Sequence, residues 1–272
     1  LVFALLLHAP WWVCLIASTV FGAVWGAIPG IFKAYLNVNE VITAIMFNWI
    51  GLYMVNDIMY GKGKSPMYDL ASTKTYSLRK AAPQAMIPSL GMSELFGKLQ
   101  SVTIAIFIAI FFAIVVYIIL NKTAFGYELR ACGFNKNAAR YAGINEKRNI
   151  ILAMMISGAL AGVGAGLYYL STVAEWNPQV STALPAMGFN GISTALLACS
   201  NPIGTIFSSL FISYITVGGT KLSTQYYTKE IADVITALII YLCAFSLLFK
   251  NKIRALLVGK AKRVSVGKGG DD

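Results

Sequence analysis

Long uncharged runs alternate with polar, mostly basic stretches along the chain. Trp11–Ile31 carries no charge, and none follows until Lys33; Val41–Val55, Ser101–Leu120 and Ile150–Leu170 are likewise uncharged. Gly188–Ser200 and Ile203–Val217 are two short apolar pieces divided by Asn201-Pro202, and Ile231–Phe249 is the last run. A helix needs about 20 mostly apolar residues to cross the hydrocarbon core of a bilayer. The pattern therefore predicts an all-α fold, a polytopic transmembrane helical bundle over residues 1–249. Val41–Val55 is shorter than the requirement. Gly188–Ser200 is too short to cross comfortably and suits a half-helix, although counting it as one pass puts loop 121–149 and the tail on the same side.

The polar stretches supply the topology. Asp57–Gln100, with Pro66, Pro83 and Pro88, reads as a solvent-side loop with some short structure. Gly218–Lys229 reads as a short polar loop, and Lys250–Asp272 as a basic tail, disordered past Gly259. Lys and Arg gather on the cytoplasmic side of membrane proteins. The tail 250–272 carries seven of them and Lys122–Arg148 six, so the loop 121–149 and the tail are both expected to be cytoplasmic. Loop 57–100 then falls outside. Its own six Lys and Arg run against the rule, diluted by the loop's length.

Composition narrows the function. The chain of 272 residues is 57% hydrophobic and 12% charged, with a mean hydropathy of +0.68. Soluble domains carry roughly 25% charged residues. A net charge of +11 first suggests nucleic acid, but the basic residues lie between and after the apolar runs, so a membrane face is the better reading. The chain opens on Leu1 with Leu1–Leu7 apolar, which reads as an N-terminally truncated segment beginning inside a helix. No basic n-region or small-residue cleavage site marks a signal peptide. Cys14, Cys132, Cys199 and Cys243 form no CxxC pair and read as reduced packing residues, and His8 is the sole histidine, so no metal site is expected.

The runs also hold almost no ionisable group; Asp233, one turn into the last run, is the exception. An ion-coupled carrier keeps such groups at depth, which disfavours a stand-alone carrier. No Ser-His pair or acidic metal pair within a run supports a membrane-embedded enzyme. No GxxxxGK[ST] nucleotide loop occurs either. Active transport would therefore draw on another subunit, docked on a surface of this one.

Gly126–Ile144 is the candidate surface. Asn135 is a good N-cap and Gly143 a good C′ residue for a helix over Lys136–Ala142. Ala138, Ala139 and Ala142 would form a small face for a partner's groove, flanked by Lys136 and Arg140; a solvated basic loop is the alternative. Elsewhere, Gly158, Gly162 and Gly166 recur every four residues and line one helix face, widened by Ala161 and Ala165. Such a stripe lets backbones approach closely in lipid.

The pattern Gly126-x-x-x-Arg130-Ala131-x-Gly133-x-Asn135-x-x-Ala138-Ala139-x-x-Ala142-Gly143-Ile144 resembles the coupling-loop signature of the branched-chain amino acid, ribose and nucleoside permeases of bacterial ABC importers. Gly26-Ala-Ile-Pro-Gly-Ile-Phe-Lys-Ala-Tyr35 followed by Asn39-Glu-Val-Ile-Thr-Ala-Ile-Met-Phe-Asn48 is similar to the nucleoside and simple-sugar branch. So is Gly188-Phe-Asn-Gly-Ile192 through Ala195-Leu-Leu197 to Asn201-Pro202-x-Gly204. The likeness runs from about residue 22 to 250. Cys199-Ser200 departs from it, since relatives often have Gly and a basic residue there.

The resemblance implies an ABC importer permease fold and a bacterial cytoplasmic membrane location with the C-terminus cytoplasmic. It implies a second permease chain, identical or not, an ABC ATPase subunit and an extracytoplasmic substrate-binding protein as partners. ATP and Mg²⁺ would be used by the ATPase, with no cofactor bound here and no catalysis by this chain. It implies ATPase coupling through Gly126, Arg130, Gly133, Asn135, Ala138, Ala139, Arg140 and Gly143. The cargo it suggests is a nucleoside, or alternatively a simple sugar. A nucleoside needs hydrogen-bond partners and an apolar or aromatic wall. The candidates along its path are Asn39, Glu40, Thr43, Asn48, Phe189, Asn190 and Thr194, with Ser193 beside them and Trp49 as a further stacking group. The alternative for each polar residue is a hydrogen bond to a neighbouring helix or its own backbone. Trp11, Trp12 and Trp176 read as interface anchors.

Overall fold

The computed structural model describes residues 1–61, 65–69, 71–72, 74–89, 103–173, 175–176, 186–221, 231, 234–235, 237–239 and 241–242. The expected last span Ile231–Phe249 and loop 218–229 lie largely, and the tail 250–272 entirely, outside them. Among the described residues the fold is helical, with one small hairpin. Five helices among the described residues are long and apolar enough to cross a membrane. The chain divides into two units, Leu1–Pro185 and Ala186–Asp272.

The first unit opens with a short helix α1 (Val2–Leu5) and the 26-residue α2 (Trp11–Leu36). Asn37, in the left-handed region at φ 51°, ends α2. Asn39 then caps α3 (Glu40–Tyr60) by accepting from the Val41 amide at 2.9 Å. At 21 residues α3 is longer than the run Val41–Val55, because it continues through Asn56 and Asp57 to Gly61. At a rise of about 1.5 Å per residue it spans roughly 31 Å, enough to cross.

Helix α3 takes in the start of the segment 57–100 as far as Tyr60, and the described part of that segment holds short structure. Strands β1 (Tyr68–Asp69) and β2 (Lys74–Thr75) pair antiparallel, Tyr68 facing Thr75. Helix α4 (Leu78–Ala81) and a 3₁₀ turn over Pro83–Ala85 follow. Met67, Leu78, Ala82, Ala85 and Ile87 are buried with Val163, Leu167 and Leu170 in one apolar cluster. The Thr75 amide donates to the Trp176 carbonyl at 2.9 Å, and Ile87 N–H to the Leu170 carbonyl. The Trp176 indole donates to Asn56 Oδ1 at 3.0 Å. Trp176 thus ties the hairpin to α3. Burial pushes the Tyr68 phenol up, with Tyr60 and Asp69 adding to it, and its hydroxyl has no partner among the described residues.

Helix α5 (Ala105–Lys122) leads to α6 (Ala124–Phe134), α7 (Lys136–Tyr141) and the 25-residue α8 (Glu146–Leu170). Asn145 caps α8 through the Arg148 amide, which draws Lys147 and Arg148 into its first turn. Helices α2 and α8 run antiparallel in the most extensive helix contact of the described chain. Gly22, Gly26 and Gly30 of α2 meet Gly158–Gly162, Met154–Gly158 and Ile151–Met154 of α8. Ser18 Oγ donates to the Gly162 carbonyl at 2.6 Å, and Gly166 rests against Leu15 and Ser18. The glycine stripe on α8 therefore packs on a second stripe, Ser18-Gly22-Gly26-Gly30, at the same spacing. Ala161 and Ala165 are exposed and do not widen it.

One end of this unit gathers the α2–α3 turn, α6, α7 and the start of α8. The other gathers α1, the hairpin, α4 and the end of α8. In the second unit, α9 (Ala186–Leu197) is followed by α10 (Pro202–Lys221). The twelve described residues of α9 make about 18 Å of helix. Asn201 Oδ1 accepts from Ile203 N–H at 3.0 Å to start α10, and Ser208 Oγ donates to the Thr194 carbonyl at 2.8 Å.

Candidate functional site

The segment 121–149 is three helix starts in close succession. Thr123 accepts from the Gly126 amide at 3.1 Å to begin α6. A methyl at Gly126 would overlap the Ile119 carbonyl and the Leu120 backbone, so the tight α5–α6 corner needs glycine there. Arg130 reaches back to Asn121 Oδ1 at 3.2 Å. Asn135 then accepts from the amides of Asn137 and Ala138 at 3.0 and 3.1 Å and starts α7. Gly143, at φ 79°, ends the turn in the left-handed region that a side chain resists.

The helix forms as the spacing predicts, but its small face divides. Ala138 and Ala142 are exposed, whereas Ala139 is only 3% exposed. Ala139 packs inward, so it is not open to a partner's groove. Arg140 and Gly133 are exposed. Two aromatic residues were not singled out in the sequence. Phe134 is 90% exposed and Tyr141 94%, one just before α7 and one at its end. Their signal was available: two aromatic rings bounding a helix in an otherwise polar, basic stretch.

Behind α7 the segment is tied to the spans. Asn149, buried at 3% exposure, donates to Glu128 Oε2 at 3.2 Å and lies 3.7 Å from Cys132 Sγ. Lys33 at the end of α2 pairs with Glu40 at the start of α3 at 2.6 Å. Lys33, Glu40, Cys132, Lys136, Asn149 and Met154 are among the residues lining a cavity of about 280 Å³. Lys147 lies 5.0 Å over the Tyr35 ring. Glu40 is thus placed beside the candidate coupling segment, and Asn39 caps the same helix end.

The other path candidates separate. Thr43 is buried and donates to the Asn39 carbonyl at 3.0 Å, so it packs within the unit rather than lining a surface. Asn48 is exposed at the middle of α3, beside Trp49. Phe189, Asn190 and Thr194 lie on α9 in the second unit. Phe189 is 62% exposed, while Thr194 donates to the Gly191 carbonyl at 2.8 Å, a bond within its own helix. Ser193 is buried and donates to the Phe189 carbonyl. Among the described residues no group of His, Cys, Asp and Glu could hold a metal ion.

Helices long and apolar enough to cross a membrane, with a short capped helix between two of them, are the architecture of a multi-pass membrane protein. Residues 1–244 match the family described as the permease component of the branched-chain amino acid transport system, and the chain belongs to that family. It is 33% identical over 254 residues to the nucleoside ABC transporter permease protein NupB of Lactococcus lactis subsp. cremoris, covering 93% of this chain and 68% of the relative. It is 32% identical over 258 residues to the guanosine ABC transporter permease protein NupP of Bacillus subtilis, covering 94% and 69%. The glucose ABC transporter permease protein TsgB13 of Haloferax volcanii is more distant, 25% identical over 240 residues, covering 87% and 61%. No solved structure matches the chain.

Proposed function

We propose that this chain is the membrane-spanning subunit of an ATP-binding cassette importer that carries nucleosides into the cell. The observation that carries the reading is α7, a two-turn helix capped by Asn135, closed by Gly143 and presenting Arg140 outward between the spans α5 and α8. Uncharged spans without a nucleotide loop need an external motor, and this helix is where one would engage. The ATPase subunit, using ATP and Mg²⁺, docks at the α7 end, which faces the cytoplasm. An extracytoplasmic binding protein delivers cargo at the hairpin end, and a second permease chain completes the passage. Nucleosides are favoured over simple sugars by the greater identity to NupB and NupP than to TsgB13.

In this reading α7 moves with the ATPase, and Asn149 and the packed Ala139 pass that motion to α8 and, through the glycine seam, to α2. Arg140→Glu in the complete transporter is expected to reach the membrane normally and keep basal ATP hydrolysis. Its uptake of labelled guanosine is expected to fall at least tenfold. Undiminished uptake would overturn the coupling role. Wild-type uptake of ribose with no uptake of any nucleoside would overturn the cargo.

A further inference from the structure

The middle of α3 presents polar groups where lipid would leave them without partners. Trp49 is the tenth of the helix's 21 residues, which puts it within about 2 Å of the midpoint at a 1.5 Å rise. Asn48 precedes it, and Tyr53 follows one turn later. All three are exposed. Among the described residues nothing accepts from the Asn48 amide, the Trp49 indole N–H or the Tyr53 hydroxyl. The opposite face of α3 is the one that packs. Phe47 meets the Trp25 and Phe32 rings at 5.8 and 5.9 Å, and Gly51 lies against Trp25.

A lipid-facing position at this depth conflicts with the chemistry. Trp and Tyr favour the two membrane interfaces, where one edge is wet, rather than the bilayer centre. Hydrogen-bonding groups in hydrocarbon are costly when unsatisfied. Trp49 and Tyr53 share one flank of α3 and Asn48 lies about 100° round the helix from Trp49, and these groups point to a polar environment beside the span.

The two aromatic rings add a shape. Trp49 and Tyr53 lie one helical turn apart with ring centroids 6.2 Å apart and planes inclined by 27°, so the two rings form one aromatic patch along the helix. Planar heterocycles bind to such surfaces because every base has a π-face, whatever its edge carries. We propose that Trp49 and Tyr53 form a stacking platform for the base of the transported nucleoside, lining the passage with Asn48 at its margin. The proposal rests on the importer reading above and names a specificity element within it.

The test uses the complete transporter with Cys14, Cys132, Cys199 and Cys243 replaced by serine. Trp49→Leu and Tyr53→Leu are expected to cut labelled guanosine uptake about tenfold at subsaturating concentration, and Trp49→Phe and Tyr53→Phe to restore most of it. Trp49→Cys and Tyr53→Cys are expected to react with a charged, membrane-impermeant thiosulfonate, and excess guanosine to slow that reaction. The labelling decides independently should a leucine variant fail to assemble. Wild-type uptake by both leucine variants would overturn the platform. So would cysteines that react only with a lipid-soluble maleimide, or at a rate guanosine leaves unchanged. A complete transporter with its native cysteines that assembles but moves no nucleoside overturns the importer reading itself, which separates the two failures.

Discussion

Gly22 and Gly158 exclude a side chain from each other: a methyl built on either would overlap the carbonyl oxygen of the other. The relation repeats one turn along, where a methyl on Gly26 would lie 2.9 Å from the Gly158 Cα and 2.6 Å from the Met154 carbonyl. In lipid no hydrophobic drive brings helices together, so backbone contact and the 2.6 Å bond from Ser18 to Gly162 hold this pair. Gly22→Leu and Gly158→Leu are each expected to destabilise the detergent-solubilised protein by at least about 2 kcal/mol, as overpacking does where only backbone can move. Gly164 has nothing within 4 Å of a built Cβ, and Gly164→Leu is expected to be near neutral. Thermal unfolding followed by size-exclusion chromatography separates the cases.

Asn135 supplies two capping bonds to a helix of only six residues, so little else holds its first turn. Asn135→Ala is expected to cost about 1 kcal/mol locally, the usual worth of a cap. Global stability should barely change, because α7 is largely exposed. The loss should appear as more ATP hydrolysed per nucleoside imported by the reconstituted transporter, with Asn135→Asp close to wild type. An unchanged ratio in Asn135→Ala would show that order in α7 is not required for coupling.

These two sites differ in how far they could be read from sequence. The α7 helix was legible because a cap residue, a short polar helix and a C′ glycine act locally, within nine residues. The α8 stripe was legible as a stripe, but a stripe does not name its partner. Ser18-Gly22-Gly26-Gly30 sits in plain view at the same spacing, and only the fold pairs the two. Ala139 and Thr43 illustrate the same limit. Each belongs to a sequence pattern that promised a surface, and tertiary packing turned each inward. The tie of Trp176 to Asn56 joins residues 120 positions apart, which no local rule reaches. The hairpin at Tyr68–Thr75 was hidden by strands of two residues, too short to show alternation.

Lys33 and Glu40 join the ends of α2 and α3 beside the cavity that also touches Lys136 and Asn149. Glu40 is half exposed, so the pair is expected to contribute at most about 1 kcal/mol and to weaken with salt. Its value lies in register, since it fixes the α2–α3 turn against α6 and α7. Lys33→Glu and Glu40→Lys are each expected to lower uptake several-fold by placing like charges together. The double exchange should recover most of it. A double variant no better than either single one would show that the two side chains act separately.

Cys199 and Ser200 both adopt the left-handed region, at φ 50° and 59°, in the turn between α9 and α10. The turn is pinned by Cys199 N–H donating to the Leu196 carbonyl at 3.0 Å and Ser200 N–H to the Ala195 carbonyl at 2.9 Å. Neither residue is glycine, and a side chain in this region costs roughly 1–2 kcal/mol. The Asn201 cap of α10 follows at once, so the chain cannot relax by shifting the corner without losing that bond. Ser200→Gly is therefore expected to stabilise the protein by about 1 kcal/mol, less the extra freedom glycine brings to the unfolded chain. Ser200→Val, β-branched in the same conformation, is expected to destabilise it by more than that. The two variants should move the unfolding midpoint in opposite directions, and a fall in both would mean that the serine side chain itself holds the turn.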